Sequence, residues 1–127
     1  MASDFYMETD GFIQIFRFNR STDAAVMEWA TALDDHMASI PRKEPFYIML
    51  DVTGEGVEFT SMARQESKRI FTKYQTHVGF LAMVFEWRTS PYFARLFFAS
   101  IGKLSFKLNY FTQYDLALDW LRTQHNA

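Results

Sequence analysis

Two stretches limit the fold more than anything else in this chain: Phe46-Tyr47-Ile48-Met49-Leu50 and Val78-Gly79-Phe80-Leu81-Ala82-Met83-Val84-Phe85 are apolar at odd and even positions alike. A strand with one wet face alternates apolar with polar residues, so strands apolar throughout are covered above and below. Both are therefore read as central parallel strands. Parallel neighbours need a crossover, and the polar residues 61–74 between them, with Met62, Ala63, Ile70 and Tyr74 as an apolar stripe, supply a helix.

The flanking elements fit the same plan. Phe5-Tyr6-Met7-Glu8 leads through Thr9-Asp10-Gly11 into Phe12-Ile13-Gln14-Ile15-Phe16-Arg17-Phe18. An Asp-Gly pair between β-rich runs predicts an antiparallel hairpin whose tight turn takes positive φ angles. Val26, Trp29, Leu33, Met37 and Ile40 recur at steps of three and four, which predicts a helix capped by Ser21 and ended before Pro41. Ser90-Pro91 opens a further helix that Gly102 closes. Phe106, Leu108 and Tyr110 alternate with Lys107 and Asn109 as an edge-like last strand. The chain then closes in a helix carrying a capping box, Thr112 with Asp115, and a hydrophobic staple, Phe111 with Leu116, with Ala117, Trp120 and Leu121 facing the core. The order ββαβαβαβα predicts one α/β domain over residues 1–127: a mixed, mostly parallel five-stranded sheet with an N-terminal β-hairpin and four helices.

Composition removes several function classes. A formal charge of −2, from 13 Lys plus Arg against 15 Asp plus Glu, gives no positive field of the kind nucleic-acid binders build. The absence of cysteine removes disulfides, thiolate metal sites and thiol nucleophiles together. No apolar run approaches the roughly 18 residues of a membrane span, and Met1-Ala2-Ser3-Asp4 does not open a signal peptide, so a cytoplasmic location is expected. His36, His77 and His125 lack ligand spacing, and no metal or cofactor is expected. Neither a Gly-x-Ser-x-Gly elbow nor a phosphate loop is present, so no enzyme chemistry is expected.

The hairpin, Leu50-Asp51-Val52-Thr53-Gly54 at the end of the third strand, residues 78–85 and the closing Ala117-Leu118-Asp119-Trp120-Leu121 together resemble the STAS domain, in particular its SpoIIAA-like branch. That branch is related in fold to anti-sigma-factor antagonists and to CRAL-TRIO lipid carriers, and the resemblance spans nearly the whole chain. It implies a STAS/SpoIIAA-like fold and a binding or regulatory role. Antagonists of this kind carry an Asp-Ser-Ser-Gly type sequence at the start of the second helix, where a serine is phosphorylated. The matching stretch here is Phe59-Thr60-Ser61-Met62, which keeps hydroxyls at Thr60 and Ser61 but has lost the acid and the glycine. A phosphate at a helix N-terminus is favoured by free amides and the helix dipole, whereas the plainer reading makes Thr60 or Ser61 a helix cap.

Three groups of candidate residues follow. In open α/β sheets ligands lie beyond the carboxyl ends of the strands, which singles out Asp51, Thr53, Glu86 and Arg88 as a rim, with Asp51 read first as ordering the Thr53-Gly54 turn. Thr60 and Ser61 are the phospho-switch candidates. The third group is the segment of residues 91–101, apolar on more than one face, where Tyr92, Phe93, Phe97, Phe98 and Ile101 would form an apolar groove or a homodimer surface. Aromatic residues make up 18% of the chain, either as dense core filling or as a pocket lining. The expected function is a non-enzymatic module binding a nonpolar, lipid-like molecule or a protein partner, with a phospho-regulated partner switch as the alternative.

Overall fold

The hairpin forms where the Asp-Gly pair stands, but its turn sits one residue later. In the computed structural model, which describes residues 3–86 and 104–127, β1 (Phe5–Asp10) pairs antiparallel with β2 (Ile13–Phe18), and Asp10 lies opposite Ile13. The two turn residues are thus Gly11 and Phe12. Gly11 alone in the turn takes positive φ, at 60°, while Asp10 stays in the strand. A glycine at the first turn position matches the twist of the flanking strands without needing a second positive φ.

From β2 onward every neighbour is parallel. β3 (Phe46–Asp51), β4 (Gly79–Val84) and β5 (Lys107–Phe111) extend the sheet in the order β1-β2-β3-β4-β5, as the apolar runs required. β5 is the edge strand expected from its alternation. α1 (Asp23–Ser39) and α2 (Ser61–Lys73) are the crossovers into β3 and β4 and pack together on one face, and α3 (Tyr114–His125) lies on the other. The expected helix at residues 91–101 lies outside the described residues, among which there are three helices.

The period of two in each strand divides the core. Phe16, Phe18, Ile48, Leu50, Leu81 and Met83 meet Val26, Trp29, Leu33 and Met37 of α1 and Ile70, Phe71 and Tyr74 of α2. The alternate residues Ile13, Ile15, Met49, Ala82 and Val84 meet Ala117, Leu118 and Leu121 of α3. β3 and β4 thus feed both layers, which is why their sequences carry no polar face. Between α1 and α2, the Asp34 carboxylate accepts hydrogen bonds from the Tyr74 hydroxyl and from Lys73 Nζ at 2.9 Å. The Tyr74 hydroxyl first, and Lys73 with it, holds that carboxyl below the usual range.

Helix ends depart from expectation in three places. Thr22, not Ser21, caps α1, its Oγ1 accepting the Ala25 amide at 3.2 Å. The last helix has no capping box: its N-cap is Gln113, without a side-chain hydrogen bond, and Leu116 is 50% exposed instead of stapling onto Phe111. Pairing of Phe111 with Val84 keeps the chain extended through that residue, and the helix starts one position later than the box demands. Ile40, expected on the core stripe of α1, is the C-cap residue and only partly buried.

Candidate functional site

The carboxyl ends of β2 and β3 are tied to each other by the loops that leave them. Ser21 donates its amide to the Gly56 carbonyl at 3.2 Å, Gly56 donates to the Asn19 carbonyl at 3.2 Å, and Glu58 donates its amide to Ser21 Oγ at 2.7 Å. This is what Ser21 does in place of capping α1. Gly54 makes the close approach possible, since a Cβ there would lie 2.4 Å from the Phe18 carbonyl oxygen.

Under this zipped pair of loops, between the first turns of α1 and α2, lies a cavity of about 30 Å³. Phe18, Trp29, Leu50, Val52, Phe59 and Met83 give it an almost wholly apolar wall, and the small side chains of Ala63 and Ser67 leave the room. Ser67 is 2% exposed and sits on the buried stripe of α2. A second, open depression lined by Asn19, Arg20, Thr22, Glu55, Gly56 and Thr60 shares Ser21 and Glu58 with the cavity. An apolar seat and a more polar rim therefore stand side by side beyond the carboxyl ends of β2 and β3.

Thr60 is the N-cap of α2, its Oγ1 accepting the Ala63 amide at 3.1 Å. Ser61 is the first helical residue and is exposed. Asp51 lies apart from both. Strand alternation turns it to the α3 side of the sheet, in register with Arg17, and its Oδ1 accepts the Thr53 amide at 3.0 Å and the Thr53 hydroxyl at 2.7 Å. Thr53 is thereby the partner of Asp51 in a turn. Glu86 is exposed at the end of the segment after β4, and Arg88 lies outside the described residues. Tyr92, Phe93, Phe97, Phe98 and Ile101 lie outside them as well. The phospho-switch candidates Thr60 and Ser61 open α2 on one side of the sheet, and Asp51 of the rim group stands on the other.

The three histidines go to three places. His125 stacks on Phe12 with centroids 3.8 Å apart, His77 lies edge-on to Tyr74 at 5.0 Å, and His36, in the last turn of α1, lies edge-on to Phe16. Among the described residues no group of three metal-ligating side chains comes together. The basic face of α2 is partly engaged, Arg69 with Glu66 and Lys73 with Asp34.

No signature motif points to the cavity, because its residues belong to five separate elements and loops. Ser67 is the one legible hint: a small polar residue on the line of Ala63, Ile70 and Tyr74 marks a place where that stripe cannot be filled.

The chain resembles a solved structure over nearly its full length. An uncharacterized protein of the DUF3478 family from Shewanella loihica PV-4, described as having a SpoIIAA-like fold, superposes with a TM-score of 0.61, covering 95% of this chain and 98% of that one at 19% identity. The fold is SpoIIAA-like. At that identity the likeness carries the architecture alone. No protein-family model matches the chain, and neither does any curated protein. No helix among the described residues is long and apolar enough to cross a membrane.

Proposed function

We propose that this SpoIIAA-like domain is a non-enzymatic binding module that takes up the apolar end of an amphipathic ligand between the first turns of α1 and α2. The observation that carries this reading is the apolar cavity beside the rim, with Ser21 and Glu58 lining both. A space of about 30 Å³ seats the tip of an aliphatic chain, not a whole drug-sized molecule, for which pockets of about 300 Å³ or more are usual. The remainder of the ligand lies along the rim, where the exposed Arg20 offers hydrogen bonds. Burial of each methylene contributes about 0.8 kcal/mol, so a short chain end gives modest affinity on its own.

The test uses cis-parinaric acid as a fluorescent probe, read by its own emission and by quenching of Trp29, with Ala63→Phe as the blocked variant. Saturable binding that moves the Met83 methyl resonance and is lost in a folded Ala63→Phe protein is the expected result. Absence of binding, or binding unaffected by Ala63→Phe, overturns the reading.

A second reading has one observation in its favour. Ser61 stands exposed on the first turn of α2, while the hydroxyl of Thr60 is committed to capping. In a partner-switching regulator phosphorylated at Thr60 or Ser61, the geometry favours Ser61, where phosphate meets free amides and the helix dipole. Mass mapping of the protein after expression with its native kinases, and partner binding by a Ser61→Ala variant, decide it.

A further inference from the structure

Among the described residues the first face of the sheet carries α1 and α2, and beyond α1 lies the outermost strand, β1. Phe5 is buried, but Met7, two residues on and on the same face, is 56% exposed, and Met27 on the adjoining side of α1 is 41% exposed. Between them runs an open groove of about 890 Å³, floored by Met7, Gln14 and Phe16 and walled by one face of α1 from Ala24 to His36. Twelve residues of helix rise about 18 Å, so the groove is some three turns long.

Its wall is small where a neighbour approaches and acidic at the margin. Ala24, Thr31 and Ala32 line it, and so do Glu28 and Asp35, two exposed carboxylates with no ion pair or hydrogen bond among the described residues. Glu8 on β1 is engaged by Arg17 at 2.9 Å and does not contribute. His36 Nε2 is buried against the groove without a hydrogen-bond partner, and burial lowers the pKa of the ring, which keeps it from supplying the cation that the two acids lack. Methionines suit such a surface because an unbranched, polarizable side chain adapts to the apolar residues set against it.

We infer that this groove docks an amphipathic helix of a partner protein, its apolar stripe on Met7 and Met27 and its Lys or Arg residues beside Glu28 and Asp35. The docked helix would lie alongside α1, over β1. Helix recognition of this kind reads apolar anchors at i, i+3 or i+4, and i+7, with flanking charge setting orientation and encounter rate. The site is independent of the cavity between α1 and α2, and neither reading depends on the other.

The test is selection from a displayed library of 15-residue helical peptides with randomised faces, followed by NMR of the methionine methyls in the whole protein. Selected peptides are expected to be enriched in Lys and Arg, to gain helicity on binding, and to shift the Met7 and Met27 methyls while leaving Met83 in place. The Glu28→Lys, Asp35→Lys double variant, which changes only exposed side chains, is expected to weaken them by about tenfold or more at low salt, with the difference shrinking as salt is added. The inference is overturned if no peptide is selected, if the binders act at Met83 or stay extended along β1, or if charge reversal leaves affinity unchanged. It is equally overturned if sedimentation velocity shows a dimer of the free protein that Met27→Glu dissolves, for then the groove belongs to a second copy of this chain.

Discussion

The two faces of one sheet are finished differently. On the first, Phe16, Phe18, Phe46, Phe71 and Phe85 are buried beneath or beside α1 and α2, which are further joined by Asp34, Tyr74 and Lys73. On the second, Tyr47, Phe80, Phe111, Tyr114 and Trp120 remain partly exposed around α3, forming edge and stacked contacts such as Phe80 with Trp120 at 5.8 Å and Tyr47 with Phe80 at 5.5 Å. The same abundance of aromatic residues is therefore core on one side and a half-covered mosaic on the other. Both apolar features at which binding is proposed belong to the first face, where α1 and α2 meet each other and the sheet.

Truncations compare the faces most strongly. Phe16→Ala is expected to cost about 3 to 5 kcal/mol, since the surrounding helices cannot both collapse into the void, whereas Leu121→Ala under the single helix should cost about 2 to 3 kcal/mol. Urea unfolding of both variants measures this, and equal losses would break the distinction. Next in size is Gly54→Ala, which sets a methyl against the Phe18 carbonyl and should cost about 1 to 3 kcal/mol. Exchange of the Gly56 and Glu58 amides should quicken in that variant, and unchanged protection would show that the loops are not held together there.

Caps sharpen the same comparison. Thr60→Ala removes the acceptor for the Ala63 amide and should cost about 1 kcal/mol, while Thr112→Ala, which caps nothing, should fall within about 0.5 kcal/mol of the parent. A large loss at Thr112 would restore the capping box that the geometry denies. The smallest effect concerns His36, whose ring burial holds below its ordinary pKa. The unfolded chain then binds the extra proton first, so the stability from keeping this ring neutral is complete above about pH 6.5 and declines as pH falls below it toward the folded value. His36→Gln should flatten that part of the stability profile, as read by urea midpoints between pH 5 and 7.5.

Much of this architecture was legible because it follows from periodicity. The runs at residues 46–50 and 78–85 became β3 and β4, and the steps through Val26, Trp29, Leu33 and Met37 became the buried stripe of α1. Local punctuation was less reliable. The Thr112 and Asp115 spacing is a sound capping box in isolation, yet pairing of β5 with β4 holds Phe111 in the sheet and shifts the helix onset. Ser21 and Thr22 are both good caps, and only the passing loop at Gly56 and Glu58 assigns Ser21 elsewhere. Among the candidate site residues, Asp51 at a strand end and Thr60 at a helix start were legible as such, but only the pairing of the strands shows that they occupy opposite faces of the sheet.

What the sequence by itself determined is which residues go inside and the alternation of strands with helices, because burial of apolar side chains at periods of 2 and 3.6 is a local constraint repeated along the chain. What only the tertiary structure decided is where burial stops. The cavity exists because Ala63 and Ser67 of α2 come to rest over Leu50 and Met83, and the groove exists because α1 leaves Met7 on the outermost strand uncovered. Both are shortfalls in packing between elements distant in sequence, and a shortfall leaves no periodic trace.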